Sequence, residues 1–193
     1  EVDFDGKRVF GKDKEISTAE LAVKSQCGTK TALEVTVSHS SPISPPPFMV
    51  GMVEIELDKE TGHIDIIDYV AVVDCGTPIN TNLARVQVEG GLGQGIGMAL
   101  FEDVQYSEKG RMYNNSFMQY KLPARNDVGT LRVEFENSYE QTGPYGAKSI
   151  GEIVINTPSP ALAHAVYNAT GVYIHELPIT PEKIVMGMLK NEN

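Results

Sequence analysis

A single carboxylate closes a glycine-rich turn in this chain. Residues 143–152 read Gly143-Pro144-Tyr145-Gly146-Ala147-Lys148-Ser149-Ile150-Gly151-Glu152. Where side chains are missing, backbone approaches a ligand closely and turns tightly. An apolar run of helical character, residues 153–166, follows. A glycine loop that opens into a helix turns N–H groups and the positive end of the helix dipole toward whatever fills the loop. A lone carboxylate there suits a general base, a role that burial beside Ile150 and Ile153 would support. The competing reading makes Glu152 a surface residue that favours the dipole of the helix it opens. Lys148 reads as a contact for a phosphate-type group, as a partner for Glu152, or as a solvated side chain. Tyr145 and Phe117 read as core residues rather than as clamps on a substrate.

Other reactive groups are scattered. Cys27 and Cys75 lie far apart without a C-x-x-C spacing, so they suit neither an iron–sulfur nor a zinc site and read as two reduced cysteines. His39, His63, His164 and His175 show no metal-ligand spacing and read as structural or surface residues. No protein side chain is therefore expected to ligate a metal. The net charge of −10 argues against a phosphate-binding face for nucleic acid, and against an anionic membrane surface. No apolar run nears the ~20 residues that span a bilayer, and no signal segment opens the chain. Hydrophobic content of 41% with 22% charge is that of a globular protein, so a packed core is expected.

The elements that would position these groups alternate in type. A short hairpin is predicted over residues 2–10 around Asp5-Gly6-Lys7. Ser17 and Glu20 form a capping box for a helix over 18–24. Residues 32–38 alternate as Leu33, Val35 and Val37, which predicts a strand. Four prolines within residues 40–47 exclude helix and central strand there, so the boundary between an N-terminal segment, 1–47, and a main domain, 48–193, is drawn at that point. Residues 49–57 and 64–73 alternate around a turn at 58–62 and predict a β-hairpin. Residues 82–100 have helical spacing despite Gly90, Gly91, Gly93, Gly95 and Gly97. Each glycine costs an exposed helix about 1 kcal/mol relative to alanine. The glycines imply close packing of backbone against backbone or against a flat ligand. A second hairpin is predicted around Glu108-Lys109-Gly110, a strand over 131–137, a helix over 161–167 and a last helix over 182–190 opened by Pro181. Asp74 and Asn80 are assigned to turns, bonding their own backbone. The fold class is α+β: mixed sheets with β-hairpins and packed helices.

The same residues carry a resemblance. Gly146-Ala147-Lys148-Ser149-Ile150-Gly151-Glu152 fits a G-x-K-x-x-G-E segment, and Ser159-Pro160-Ala161 follows it. Val73-Asp74-Cys75-Gly76-Thr77-Pro78-Ile79-Asn80, then Gln87-Val88-Glu89-Gly90-Gly91-Leu92-Gly93-Gln94-Gly95, is similar to a D-x-G-x-x-x-N-P…Q-x-E-G…Q-G stretch, with Thr81 standing where proline is usual. Together, from about residue 52 to 182, the chain resembles the C-terminal part of the molybdopterin-binding subunit of molybdenum hydroxylases, the family of xanthine dehydrogenase and aldehyde oxidoreductase. The resemblance implies a molybdenum cofactor-binding domain with Glu152 as the catalytic base. It also implies that Gln87 contacts the cofactor, with Ala147, Lys148, Ser149, Ile150 and Gly151 lining it. Gln94 reads as a further contact or as a buried structural amide. The metal would be held by the pterin dithiolene, in the molybdopterin or the cytosine dinucleotide form.

The resemblance implies an oxidoreductase that hydroxylates an N-heterocycle, purine or nicotinate-like, with water as the oxygen source. The alternative is a non-catalytic half-subunit that only stabilises a molybdopterin-binding partner. Nothing in the chain resembles the family's other glycine-rich cofactor loop, so an N-terminal half of the molybdenum subunit is expected as partner. Subunits carrying 2Fe-2S and FAD are expected beside it, in a cytoplasmic oligomer.

Overall fold

The computed structural model of the chain describes residues 2–28, 33–38 and 40–191. These residues divide into two compact units, Glu1–Ser40 and Ser41–Asn193. The division falls before the proline-rich stretch, not at residue 47. Ser41 explains this locally: its hydroxyl donates to Ile43 O at 2.6 Å and to Thr142 O at 3.4 Å, which ties the stretch to the second unit.

The first unit is a three-stranded antiparallel sheet with one short helix. Strands β1 (Val2–Phe4), β2 (Arg8–Gly11) and β3 (Glu15–Ser17) lie in that order. The hairpin predicted around Gly6 forms, and β3 extends it. Ser17 caps helix α1 (Thr18–Val23) through a capping box with Glu20, as its spacing predicts. A π-helical turn, Lys24–Gly28, follows. The strand predicted at 32–38 does not form over residues 33–38. Leu33, Val35 and Val37 are exposed there: alternation specifies a strand only where a neighbouring strand accepts it. Position 32 and His39 lie outside the described residues.

The second unit is a sheet with helices on one face. Strands β4 (Phe48–Leu57) and β5 (Ile64–Asp74) form the predicted hairpin, with a register shift at Glu54/Ile55. Asp58 builds its turn by accepting the Glu60 N–H at 2.8 Å and the Thr61 hydroxyl at 2.8 Å. Helix α2 (Thr81–Leu100) then crosses over, and strand β6 (Thr130–Phe135) returns parallel to β5. The sheet order is β4-β5-β6, so it is mixed. Helices α3 (Pro158–Thr170) and α4 (Pro181–Asn191) complete the unit. The hairpin predicted around Gly110 is reduced to one bridge, Tyr106 to Met112.

Alternation in β5 turns Tyr69, Ala71 and Val73 inward, where they meet Val88 and Leu92 of α2, Val133 of β6 and Val154. A second cluster joins Ile66, Ile96, Ala99, Leu162, Val166, Ile179 and Ile184. Tyr69 is fully buried, and its hydroxyl donates to Thr157 Oγ1 at 2.9 Å, so its one polar atom is satisfied. The opposite face of the sheet leaves Phe48, Val50 and Met52 exposed.

The five glycines of α2 separate into two kinds. A Cβ on Gly91 would stand 2.1 Å from Val154 Cγ2, one on Gly95 2.6 Å from Pro158 Cγ, and one on Gly97 2.3 Å from Glu102 Oε1. A Cβ on Gly90 or Gly93 would meet nothing within 4 Å. Gly91→Ala is therefore expected to destabilise the protein by about 1–3 kcal/mol, the usual cost of overpacking. Gly93→Ala should instead stabilise it by up to about 1 kcal/mol, through helix propensity. Urea denaturation of the two variants checks the contrast.

Candidate functional site

The two sequence blocks meet in one groove. Residues Gln87, Gly90, Gly91 and Gln94 share a face of α2, at spacings of three and four, and form one wall. Gly151, Glu152, Val154, Ile155 and Asn156 form the other. The concavity holds about 930 Å³. Asn80 caps α2 by accepting the Leu83 N–H at 3.1 Å, which fixes where the helix starts and so where Gln87 falls. Asn80 is thus a helix cap rather than a turn residue. Gln87 Nε2 donates across the groove to Gly151 O at 3.4 Å. Gln94 is exposed on the groove, not a buried structural amide.

Glu152 differs from expectation in its setting. It does not open a long helix: a three-residue 3-10 turn, Ile153–Ile155, follows it, and α3 begins only at Pro158. Pro158 accounts for the break, since proline there removes the N–H that a continuous helix would need. No long helix dipole therefore acts on Glu152. The residue is also exposed, so this chain does not supply the burial expected beside Ile150 and Ile153. Its carboxylate has no hydrogen-bond or ion-pair partner among the described residues. An unpartnered carboxylate beside side-chain amides and bare glycine backbone can accept a proton from a ligand in the groove.

The remaining loop residues are committed within the chain. The Ala147 N–H donates to Pro144 O at 3.0 Å, and the Lys148 N–H to Cys75 O at 2.7 Å. Lys148 is neither solvated nor paired with Glu152. Its ammonium lies 2.6 Å from Asp74 Oδ2, and the side chain is 7% exposed. It also stands 5.3 Å from the centroid of the Phe48 ring. Ile150 packs at the edge of the core and Ser149 is exposed. Of the residues expected to line the cofactor, Gln87 and Gly151 reach the groove with Glu152, whereas the Ala147 N–H bonds within its own loop and Lys148 turns its polar groups to the end of β5. Tyr145 and Phe117 are each 82% exposed, not core residues.

Asp74 gathers the donors. It accepts from Lys148, from the Ser138 hydroxyl and from the Gly76 N–H, the last at 3.0 Å. Burial opposes its ionisation, but the hydrogen bonds from Lys148, Ser138 and Gly76 outweigh it and hold the carboxyl at about 2. The neighbouring Cys75 thiol is buried and its pKa is raised, by burial first and then by the Asp74 charge. His63, His164 and His175 are exposed. Among the described residues no three His, Cys, Asp or Glu side chains converge on a point that could hold a metal.

Sequence reasoning missed Asn156, which lines the groove, and Ser138, which bonds Asp74. Neither lies in a motif. Only the folded path of the chain brings them in.

Comparison with known proteins shows the family and the fold. A family model described as molybdopterin cofactor-binding domain matches residues 1–129. The chain is 34% identical over 184 residues to a probable hypoxanthine oxidase of Escherichia coli (strain K12), which covers 94% of this chain and 19% of that protein. It is 34% identical over 186 residues to the 6-hydroxypseudooxynicotine dehydrogenase complex subunit gamma of Paenarthrobacter nicotinovorans, covering 92% of this chain and 23% of that one. The chain thus spans about a fifth of the length of these relatives. Its fold is that of the reconstituted CO dehydrogenase from Oligotropha carboxidovorans: TM-score 0.85 at 24% identity, over 98% of this chain and 25% of that one.

Asp74 gives stability a defined pH dependence. Its folded value lies below the ordinary 3.8, so its contribution is fully present above about 4 and is lost as pH falls toward about 2. Asp74→Asn is expected to cost on the order of 2 kcal/mol at neutral pH, and less as Asp74 becomes protonated in both the folded and the unfolded state. Chemical denaturation of both proteins at a series of pH values should show the two stability curves converging at the acid end.

Proposed function

The chain belongs to the molybdopterin cofactor-binding domain family of xanthine dehydrogenase-like molybdenum oxidoreductases, and we propose that it is the C-terminal portion of a hydroxylase subunit acting on an N-heterocycle. The observation that carries this reading is the unpartnered carboxylate of Glu152 in the groove between α2 and the 152–156 turn. The groove fits a flat pterin-type group. Gly90 and Gly151 present bare backbone where a Cβ would meet nothing within 4 Å, and the Gln87 and Gln94 amides face the same space. When bound, a molybdenum–pterin cofactor would supply the redox chemistry of the hydroxylation.

The residues of this chain do the rest. Glu152 accepts the proton released at the oxygen that joins the substrate, and holds it at a carboxylate oxygen until solvent removes it. Gln87 and Gln94 donate side-chain N–H groups to the cofactor, and Gln87 also steadies Gly151 through the bond to its carbonyl. Ser149 and Gly151 form the cofactor edge of the loop, and Ile150, whose side chain packs at the edge of the core, contributes its backbone there. Ala147 and Lys148 act behind it, by holding its path.

Purine or nicotinate-like substrates are supported by the names of the two relatives, a hypoxanthine oxidase and a 6-hydroxypseudooxynicotine dehydrogenase. The latter is one subunit of a complex, which supports partner subunits here. Those partners are proposed to carry 2Fe-2S and FAD, with a further half of the molybdenum subunit joining them. Among the described residues no helix is long and apolar enough to cross a membrane. We place the assembly in the cytoplasm.

Glu152→Gln should leave stability and molybdenum content nearly unchanged while turnover of the assembled enzyme falls about a hundredfold or more. Turnover above about a tenth of the parent value would mean that another group is the base. Gln87→Ala removes one hydrogen bond worth about 0.5–1.5 kcal/mol. It should lower molybdenum retention on dialysis more than it lowers thermal stability, and equal retention would make Gln87 a purely structural residue.

A further inference from the structure

Asp74 and Lys148 form an ion pair, and neither is among the residues that line the groove. Their side chains are 22% and 7% exposed. A buried ion pair is weak evidence for stability, because apolar residues of similar volume often serve as well. What a charged pair supplies that an apolar contact does not is one defined geometry.

That geometry falls at a junction. Asp74 ends β5, and Gly76 turns the chain at φ +69, where a Cβ would stand 2.2 Å from Gly146 O. Thr77 N donates to Gly146 O at 2.8 Å and Lys148 N to Cys75 O at 2.7 Å, so residues 146–148 run as a short ladder beside 75–77. Within the same loop Tyr145 sits at φ 56. A non-glycine residue in this left-handed region persists only where its surroundings over-determine it. Beyond Lys148 the hold is looser. Ile150 packs at the edge of the core, and the Gln87 bond to Gly151 O is long at 3.4 Å. Lys148 is the last charged anchor before Glu152, four positions later.

We propose that Lys148 is a positioning residue: clamped between the Asp74 carboxylate and the Phe48 ring, its ammonium fixes the path of residues 149–152 and so sets where the Glu152 carboxylate stands. This rests on the reading of Glu152 as the base. Misplacing a catalytic group by about 1 Å can cost a hundredfold in rate.

The test uses the full molybdenum enzyme carrying Lys148→Met, Lys148→Arg, and Lys148→Met combined with Asp74→Asn. Hydrogen exchange at residues 149–152, kcat and KM are measured well below the melting temperature. We expect Lys148→Met to lower kcat by about ten- to a hundredfold with KM nearly unchanged. Exchange at 149–152 should rise while that of α3 stays constant. Lys148→Arg should recover most of both, and the double variant should be no worse than Lys148→Met. A lowered melting temperature with unchanged kcat and unchanged exchange at 149–152 would overturn the proposal. Where Lys148→Met does not fold, Ser138→Ala removes one of the donors on Asp74, and unchanged exchange in it overturns the proposal as well. Glu152→Gln in the same enzyme separates the two readings. If it stays active, Glu152 is not the base, and the exchange measurement still decides whether Lys148 fixes the loop.

Discussion

Helix α2 can lie against the Ile153–Ile155 turn only because Gly91 and Gly95 lack side chains. Any other residue at 91 would drive a Cβ to 2.1 Å from Val154 Cγ2. This one close approach sets the width of the groove, because Gln87 and Gln94 stand on the same helix face as Gly91 while Glu152 precedes the turn it touches. It also seats the core. Val88 and Leu92 on one side of the contact reach Tyr69, Ala71 and Val73 of β5, and the parallel return of β6 closes the layer. Helix propensity is sacrificed for this: each glycine weakens the helix by about 1 kcal/mol, which the burial of Val88, Leu92, Ile96 and Ala99 offsets. Gly90 and Gly93 are not required by this packing, since a Cβ at either would meet nothing within 4 Å beyond its own helix, and Gly90 lines the groove.

Much of this was legible in the residues. The β4–β5 hairpin alternates strictly and its turn has its own asparate–threonine chemistry, so period and punctuation agree. The capping box at Ser17 is local and needs nothing from the rest of the fold. The two motif blocks were legible as chemistry, and the groove brings Gln87, Gly151 and Glu152 together. The misses share a cause. Residues 33–38 have the alternation of a strand but pair with no strand among the described residues, and single-chain periodicity cannot reveal a missing neighbour. The run 153–166 has helical hydrophobic spacing, yet Pro158 divides it, and the local backbone rule prevails over the pattern. The partner of Lys148 was hidden because Asp74 is 74 positions away, and only the junction of β5 with the glycine loop makes them neighbours.

That junction explains how one short region keeps two carboxylates in opposite conditions. Asp74 accepts from three donors drawn from three segments, stays ionised down to about pH 2, and is fully occupied in holding the loop. Glu152 has no such partner and faces open space. A carboxylate already bonded to an ammonium and a hydroxyl is a poor proton acceptor, because accepting a proton means giving up those bonds. A free one beside neutral amides has nothing to lose. Had Lys148 turned the other way, toward Glu152, the groove would hold a neutralised ion pair and the loop would lose its anchor. The buried lysine therefore acts on the groove partly by its absence from it. It neutralises the structural carboxylate outside the groove lining and leaves the one within it available for a proton.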